Sequence, residues 1–151
     1  AIGRVQLKKI FVWNKKRNQN MQKIWSTANQ TKFLKAPKLV CNGCFGDCDS
    51  NSGCVHAAYK AYIFVEGDEE KRDWIMNSIN KRGVKCYQGS CSEVYLEKAF
   101  EKTNFRPHTR LSIAKKLGQT SLMFLCDPTL SAEEMRQTCS AIYEVSQALE
   151  Q

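Results

Sequence analysis

The first 30 residues constrain the fold of this 151-residue chain more than any other segment. Apolar residues recur there close to a 3.6-residue period, with Lys, Arg, Asn and Gln between them and no proline. The pattern predicts one amphipathic helix over residues 1–30, roughly 45 Å long. Because the rest of the chain is small, we expect part of this helix to lie against polypeptide that the chain does not contain. The apolar positions are Ile2, Val5, Ile10, Trp13, Met21, Ile24 and Ala28.

Charge is distributed unevenly along the chain. The formal net charge is +8, yet residues 1–46 hold ten Lys or Arg and no acid, and the first acid is Asp47. A basic arm with Phe11, Trp13 and Trp25 could follow phosphates and stack on bases. The same pattern is more typical of an amphipathic helix whose aromatic residues face a core and whose lysines are solvated. We therefore do not expect nucleic acid as a partner and keep nucleic-acid binding as an alternative function.

The pattern after the first helix predicts an α/β (α+β) fold in which a small sheet is packed with helices. Asp68 and a Ser131–Glu134 capping box mark the starts of two helices. Gly83 marks the end of the helix that Asp68 starts, and Gly118 marks the end of another. The expected strands are 55–65, 84–87 and 121–126, and the expected helices are 68–80, 94–102, 110–117 and 131–149.

Four of the eight cysteines stand close together in a polar, glycine-rich loop at residues 41–54. Their C-x2-C-x3-C-x5-C spacing could wrap one zinc ion or an iron–sulfur cluster. Only one C-x2-C pair is present, so a loop with free thiols is the alternative reading. The candidate ligands are Cys41, Cys44, Cys48 and Cys54.

We expect a cytoplasmic chain with no membrane partner. No apolar run is long enough to cross a bilayer, and no secretion signal pattern is present. Reduced thiols or a metal are then the better interpretation of the cysteines than disulfides.

Several short motifs follow one another along nearly the whole chain outside the cysteine loop. They are AIGRVQLKKI at Ala1–Ile10, H-x-x-Y-K-x-Y at His56–Tyr62, RGV at Arg82–Val84, YLEKAF at Tyr95–Phe100 and PTLS at Pro128–Ser131. In this order and spacing they resemble the C-terminal portion of the DegT/DnrJ/StrS family of pyridoxal-phosphate-dependent sugar aminotransferases.

The resemblance implies the small-domain fold of the aspartate-aminotransferase-type (fold type I) pyridoxal-phosphate transferases. Residues 1–36 would form a long basic interdomain helix, and residues 37–151 a small α/β C-terminal domain that carries the cysteine loop. In the family, an upstream large domain supplies the lysine that binds pyridoxal phosphate. The resemblance therefore implies that this chain holds no catalytic residue and is inactive alone. It also implies a missing large domain or partner chain, and a homodimer.

The segment after the R-G-V motif forms part of the active-site wall in the family and helps to accommodate the sugar nucleotide. Here that segment is CYQGSCSE, residues 86–93, and it lacks the His-Tyr-Pro run of many members. The resemblance implies that Tyr87, Ser90, Ser92 and Glu93 bind the substrate through hydroxyl and carboxylate groups. A purely structural turn is the alternative.

The sequence thus predicts the C-terminal domain of an aminotransferase for a nucleotide-linked keto sugar, in the biosynthesis of sugars or cell-surface polysaccharide. The alternative is a zinc-stabilised binding module built around the cysteine loop.

Overall fold

The described residues, 2–38, 56–89 and 91–150, form four α-helices and one antiparallel sheet in a computed structural model. This mixed architecture confirms the expected fold class. No helix within these ranges is long and apolar enough to span a membrane. In chain order the elements are α1 (Ile2–Asn29), β1 (Leu34–Lys35), β2 (Ala61–Val65), α2 (Glu69–Lys81), β3 (Cys86–Gln88), two short 3-10 helices (Val94–Leu96 and Lys98–Phe100), α3 (Ser112–Thr120), β4 (Ser121–Phe124) and α4 (Ala132–Ala148).

The sheet has the strand order β1-β2-β4-β3, and every neighbouring pair is antiparallel. Ala61 on β2 and Cys86 on β3 both lie opposite Phe124 on β4, while Ile63 lies opposite Leu122. All five side chains are buried. Because directly opposed residues share a face of the sheet, they define its buried face.

Three helices cover the buried face of the sheet and complete the core. The second half of α1 contributes Met21, Ile24 and Ala28, none of which is exposed. The Trp25 indole N–H also donates to the carbonyl oxygen of Tyr62 at 2.9 Å. The helices α2 and α4 add Ile75, Ile79, Met135, Ile142 and Val145.

The first half of α1 has no such cover. Ile2, Leu7, Phe11 and Val12 expose 79%, 64%, 82% and 71% of their surface. None of the ion pairs among the described residues uses a cation of α1. The predicted helix is confirmed, and about half of it extends beyond the packed body.

Several predicted boundaries are wrong around the first two strands. The strand predicted from residue 55 begins only at Ala61, because Ala58 adopts a left-handed backbone with φ of 46°. The Ala58 N–H donates to Nδ1 of His56 at 2.8 Å, and the Cys126 thiol donates to the Ala58 carbonyl oxygen at 2.8 Å. These bonds form a turn. Strand β1 was not predicted, because a strand of two residues is too short to show an alternating hydrophobic pattern.

Two predicted helices also differ. Instead of one helix over 94–102, two 3-10 helices flank Glu97, whose backbone is extended with ψ of 148°. The helix predicted over 110–117 is α3, which starts at Ser112 and continues through Gly118. Gly118 therefore does not end the helix; its carbonyl oxygen accepts a hydrogen bond from buried Arg72 at 3.2 Å.

Strong local signals gave correct boundaries for the other two helices. Asp68 caps α2 by accepting from the Lys71 N–H at 2.9 Å. Ser131 and Glu134 form the predicted capping box at the start of α4.

Candidate functional site

Three contacts hold the segment that follows β3 in place, and the first of these fixed points is Gly89. Its N–H donates to the carbonyl oxygen of Ser121 at 3.1 Å, which continues the sheet by one bond. A β-carbon at position 89 would collide with the hydroxyl oxygen of Ser121 and lie 2.8 Å from its Cβ, closer than such atoms approach. Only glycine leaves room for the Ser121 side chain at this point, so the residue is needed for the close contact between position 89 and that side chain.

The second fixed point is the contact between Ser92 and α3. A β-carbon on Gly118 would collide with the Ser92 hydroxyl oxygen and lie 3.4 Å from its Cβ. The half-buried Ser92 side chain therefore occupies the space that the glycine leaves open on α3.

The third fixed point is the carboxylate of Glu93. Arg110 donates from Nε to Oε1 at 2.7 Å and from Nη2 to Oε2 at 2.6 Å. The Tyr95 hydroxyl donates to Oε1 at 2.7 Å and itself accepts from the Leu111 N–H at 3.0 Å. The two-bond geometry is the strong form of Arg–carboxylate pairing.

This network sets the protonation of Glu93. The hydrogen bond from Arg110, helped by that from Tyr95, lowers the pKa of Glu93 from 4.5 to about 2. The same carboxylate raises the pKa of Arg110. Glu93 is thus a stable anion, and it can accept hydrogen bonds but not donate a proton at neutral pH.

Tyr87 lies apart from this network on β3. It sits opposite Met123, which sits opposite Tyr62, so the three share the face of the sheet that points away from the core. Tyr87 is 43% exposed. No hydrogen bond among the described residues joins Tyr87 to Ser92 or Glu93, whereas those two are held by α3 and the residues before it. Ser90 lies outside the described residues.

The sequence did not reveal the residues that hold the segment in place. Arg110 pairs with an acid 17 positions earlier, and Arg106 donates to the carbonyl oxygens of Tyr95 and Leu96, both at 3.0 Å. Neither pairing follows a helical or strand period. The only local signal was the run of cations at 106–116, which contains no acid.

A cleft of about 410 Å³ lies beside α3. Its apolar lining includes Phe64, Ile113 and Leu117, and its charged lining includes Lys35, Lys116 and Glu66.

The predicted metal ligands Cys41, Cys44, Cys48 and Cys54 lie outside the described residues, so the zinc site stays a prediction. Within the described ranges, no group of three or more His, Cys, Asp or Glu side chains could hold a metal ion.

The fold and the arrangement around residues 86–111 can be compared with known proteins. A model of the DegT/DnrJ/EryC1/StrS aminotransferase family matches residues 1–143. The chain belongs to this family. No curated protein sequence matches the chain.

Solved structures of aminotransferases share the fold of this family member. The aminotransferase from Psychrobacter cryohalolentis is 41% identical, with a TM-score of 0.84 over 99% of the chain. Helicobacter pylori PseC, an aminotransferase involved in pseudoaminic acid biosynthesis, is 14% identical with a TM-score of 0.74 over 97%. NtdA from Bacillus subtilis, solved with bound cofactor PMP, is 17% identical with a TM-score of 0.64 over 90%.

The chain spans only part of these proteins: 38%, 36% and 29% of their lengths. Aminotransferases of this family use pyridoxal phosphate.

The pKa of Glu93 tests the network directly. We expect a carboxyl titration near pH 2 by 13C NMR, and a rise of this pKa toward 4.5 in the Arg110→Gln variant. Because the folded-state pKa is lowered, Glu93 stabilises the fold above its unfolded pKa, and this stabilisation is lost as the pH falls toward 2. Arg136→Gln, which removes an exposed cation of α4, should leave the titration unchanged. An unchanged titration in Arg110→Gln would contradict the network.

The close approach at Gly89 gives a second test. We expect Gly89→Ala to lower the free energy of unfolding by about 1–3 kcal/mol, because the new methyl group overpacks against Cβ of Ser121. In double variants, Ser121→Ala should relieve part of the loss because it removes the hydroxyl oxygen, and Ser121→Gly should relieve more because it also removes Cβ. Gly3→Ala is the control, since nothing lies within 4 Å of a β-carbon there. Denaturant unfolding measures all four, and a loss that neither Ser121 change relieves would disprove the contact.

Proposed function

We propose that the chain is the C-terminal, small-domain portion of a pyridoxal-phosphate-dependent aminotransferase that acts on a nucleotide-linked keto sugar. The observation that supports this is the family match over residues 1–143, in a chain that spans only 38% of a 41% identical aminotransferase. The sugar would serve the biosynthesis of a sugar or a cell-surface polysaccharide in the cytoplasm.

Within this function, residues 87–93 are part of the substrate-binding wall. The Tyr87 hydroxyl and the Glu93 carboxylate offer the hydrogen-bonding groups that a polyhydroxylated substrate requires. Both Glu93 oxygens already accept hydrogen bonds, but an ionised carboxylate has about four acceptor sites, so a sugar hydroxyl could still donate to it. Arg110 and Tyr95 would hold that acceptor in one orientation.

We propose that the described residues do not form a complete cofactor site. A lysine that forms a covalent bond with a carbonyl cofactor needs to be desolvated or placed beside another cation. Lys116, at the cleft beside α3, is exposed, and Lys35 donates to the Thr31 carbonyl oxygen at 3.4 Å. When bound, pyridoxal phosphate supplies the carbanion chemistry of transamination. We propose that the polypeptide missing from this chain supplies the lysine.

The bare half of α1 supports the need for further polypeptide. Its exposed apolar side chains form a patch of the kind that marks a contact with another protein surface. We propose that the large domain of the aminotransferase covers it, and that the intact enzyme is a homodimer.

The chain on its own should be catalytically inactive. Incubated with pyridoxal phosphate and glutamate, the purified chain should give no cofactor absorbance band that shifts when glutamate is added. A glutamate-dependent shift would show that the chain carries a complete site, and the proposal would be wrong.

A chimeric enzyme tests the positive part of the proposal. We expect that the 38% of the Psychrobacter cryohalolentis aminotransferase that matches this chain can be replaced by it with retention of the glutamate-dependent absorbance change. The matched control is the same chimera with Gly89→Ala, which should weaken the wall. A folded, dimeric chimera that binds the cofactor but does not react with glutamate would argue against an equivalent role.

In isolation the chain should self-associate through α1. We expect the weight-average mass in sedimentation equilibrium to rise with concentration, and Leu7→Glu to lower it because that side chain is 64% exposed on α1. Added salt should strengthen the association, since it screens repulsion between the cations of paired helices. Ile113→Glu on α3 is the control. A monomer at every concentration would contradict this expectation.

A further inference from the structure

One turn of α1, around Arg17, contacts two other segments of the chain. Asn20 donates from Nδ2 to the carbonyl oxygen of Asp127 at 2.8 Å. Asn18 donates from Nδ2 to the carbonyl oxygen of His56 at 2.5 Å. Arg17 therefore lies where α1, the turn at 56–60 and the residues after β4 meet.

Two polar atoms at this junction have no hydrogen-bond partner among the described residues. Nε of Arg17 is buried and has no hydrogen-bond acceptor, and no carboxylate of the described residues forms an ion pair with Arg17. Asn20 is fully buried, yet its Oδ1 receives no hydrogen bond. Buried polar atoms are nearly always paired, and an unpaired donor on a charged group is the costlier case. A partner from outside the described residues would remove that cost.

The charges at the junction favour an anion as this partner. Half-buried Lys60 and Arg17 both lie near the buried thiol of Cys126, where their positive charges oppose the rise in its pKa that burial causes. Asp127 acts on the thiol in the opposite sense. Among the charged groups that act on this thiol, the two cations outnumber the one acid. Ala58, with its left-handed backbone, holds the neighbouring turn in place through its bonds to His56 and Cys126.

We propose that Arg17, with Lys60, binds an oxyanion at the junction of α1, the turn at 56–60 and residues 126–127. The guanidinium group offers Nε–H and Nη–H in the fork that fits two oxygens of a carboxylate or phosphate. The Oδ1 of Asn20 would accept from a hydroxyl of a singly protonated phosphate or from a water carried with the anion. The oxyanion is either a free phosphate group or the carboxylate of a side chain from covering polypeptide. The site does not depend on the aminotransferase proposal.

The test is a titration of the 151-residue chain with inorganic phosphate and with acetate at constant ionic strength, followed by the 15N NMR signal of Arg17 Nε–H. We expect a saturable shift of this signal. Lys60→Gln should lower the affinity for the anion. Arg17→Gln, in which binding is followed by the NMR signal of the Asn20 side-chain amide, should lower the affinity by at least about tenfold, as expected for the loss of a charge-assisted hydrogen bond. Arg4→Gln removes a cation from the exposed end of α1 and should leave the constant unchanged.

The two anions distinguish the sources. Saturation by phosphate alone indicates a free phosphate group, and saturation by acetate with similar affinity indicates a carboxylate. A linear response to both anions, or an equal loss in Arg4→Gln, would overturn the proposal. So would a shift of the Arg17 signal in Asp127→Asn without added anion, which would make Asp127 the partner in solution. Should Arg17→Gln fail to fold, Arg17→Lys keeps the charge but removes the fork and should still weaken binding.

Discussion

The fold depends on the packing of the second half of α1 across the sheet. Met21, Ile24 and Ala28 are fully buried, and a fully buried large apolar side chain contributes about 1.5–3 kcal/mol. Polar groups on the same stretch fix the position of the helix: Asn20 donates to the Asp127 carbonyl oxygen, and Trp25 to that of Tyr62. The helix thereby joins β2 to the residues after β4. Its first half has no part in this packing, and its apolar side chains are exposed.

Beyond β3, the proposed substrate wall is held by contacts between residues far apart in the sequence. A binding surface on an irregular segment needs a rigid support, because misplacement of about an ångström weakens recognition. Here the support comes from three contacts. Gly89 packs against Ser121, Ser92 packs against Gly118 of α3, and Glu93 forms two hydrogen bonds with Arg110. Tyr87 is fixed differently, by its register in the sheet. The segment can thus differ in sequence from other family members and still present polar groups at fixed positions.

What could be predicted from the sequence follows from the range of the interactions involved. The capping box at Ser131 and the period of α1 are local signals, and both elements occur where expected. The start of β2 was wrong because a thiol 68 positions away, on Cys126, holds the Ala58 carbonyl oxygen in a turn. The end of α3 was wrong because Gly118 serves a contact with Ser92 and not a helix stop. The site residues came from the family resemblance alone, and their supports, Arg110 and Tyr95, have no periodic signature.

The bare half of α1 and the unpaired guanidinium have one geometric explanation. Ile10, Arg17 and Ile24 are seven residues apart, close to two helical turns, so they lie on the same face of α1. Ile24 is buried in this body, Arg17 stands at its edge with a buried donor unfilled, and Ile10 is 39% exposed beyond it. A single covering surface along this face would bury the apolar side chains and could place a carboxylate on Arg17. Because α1 has no acid of its own, a second copy of α1 could not supply that carboxylate. If a carboxylate is the anion at Arg17, it therefore comes from a surface other than α1 of a second copy.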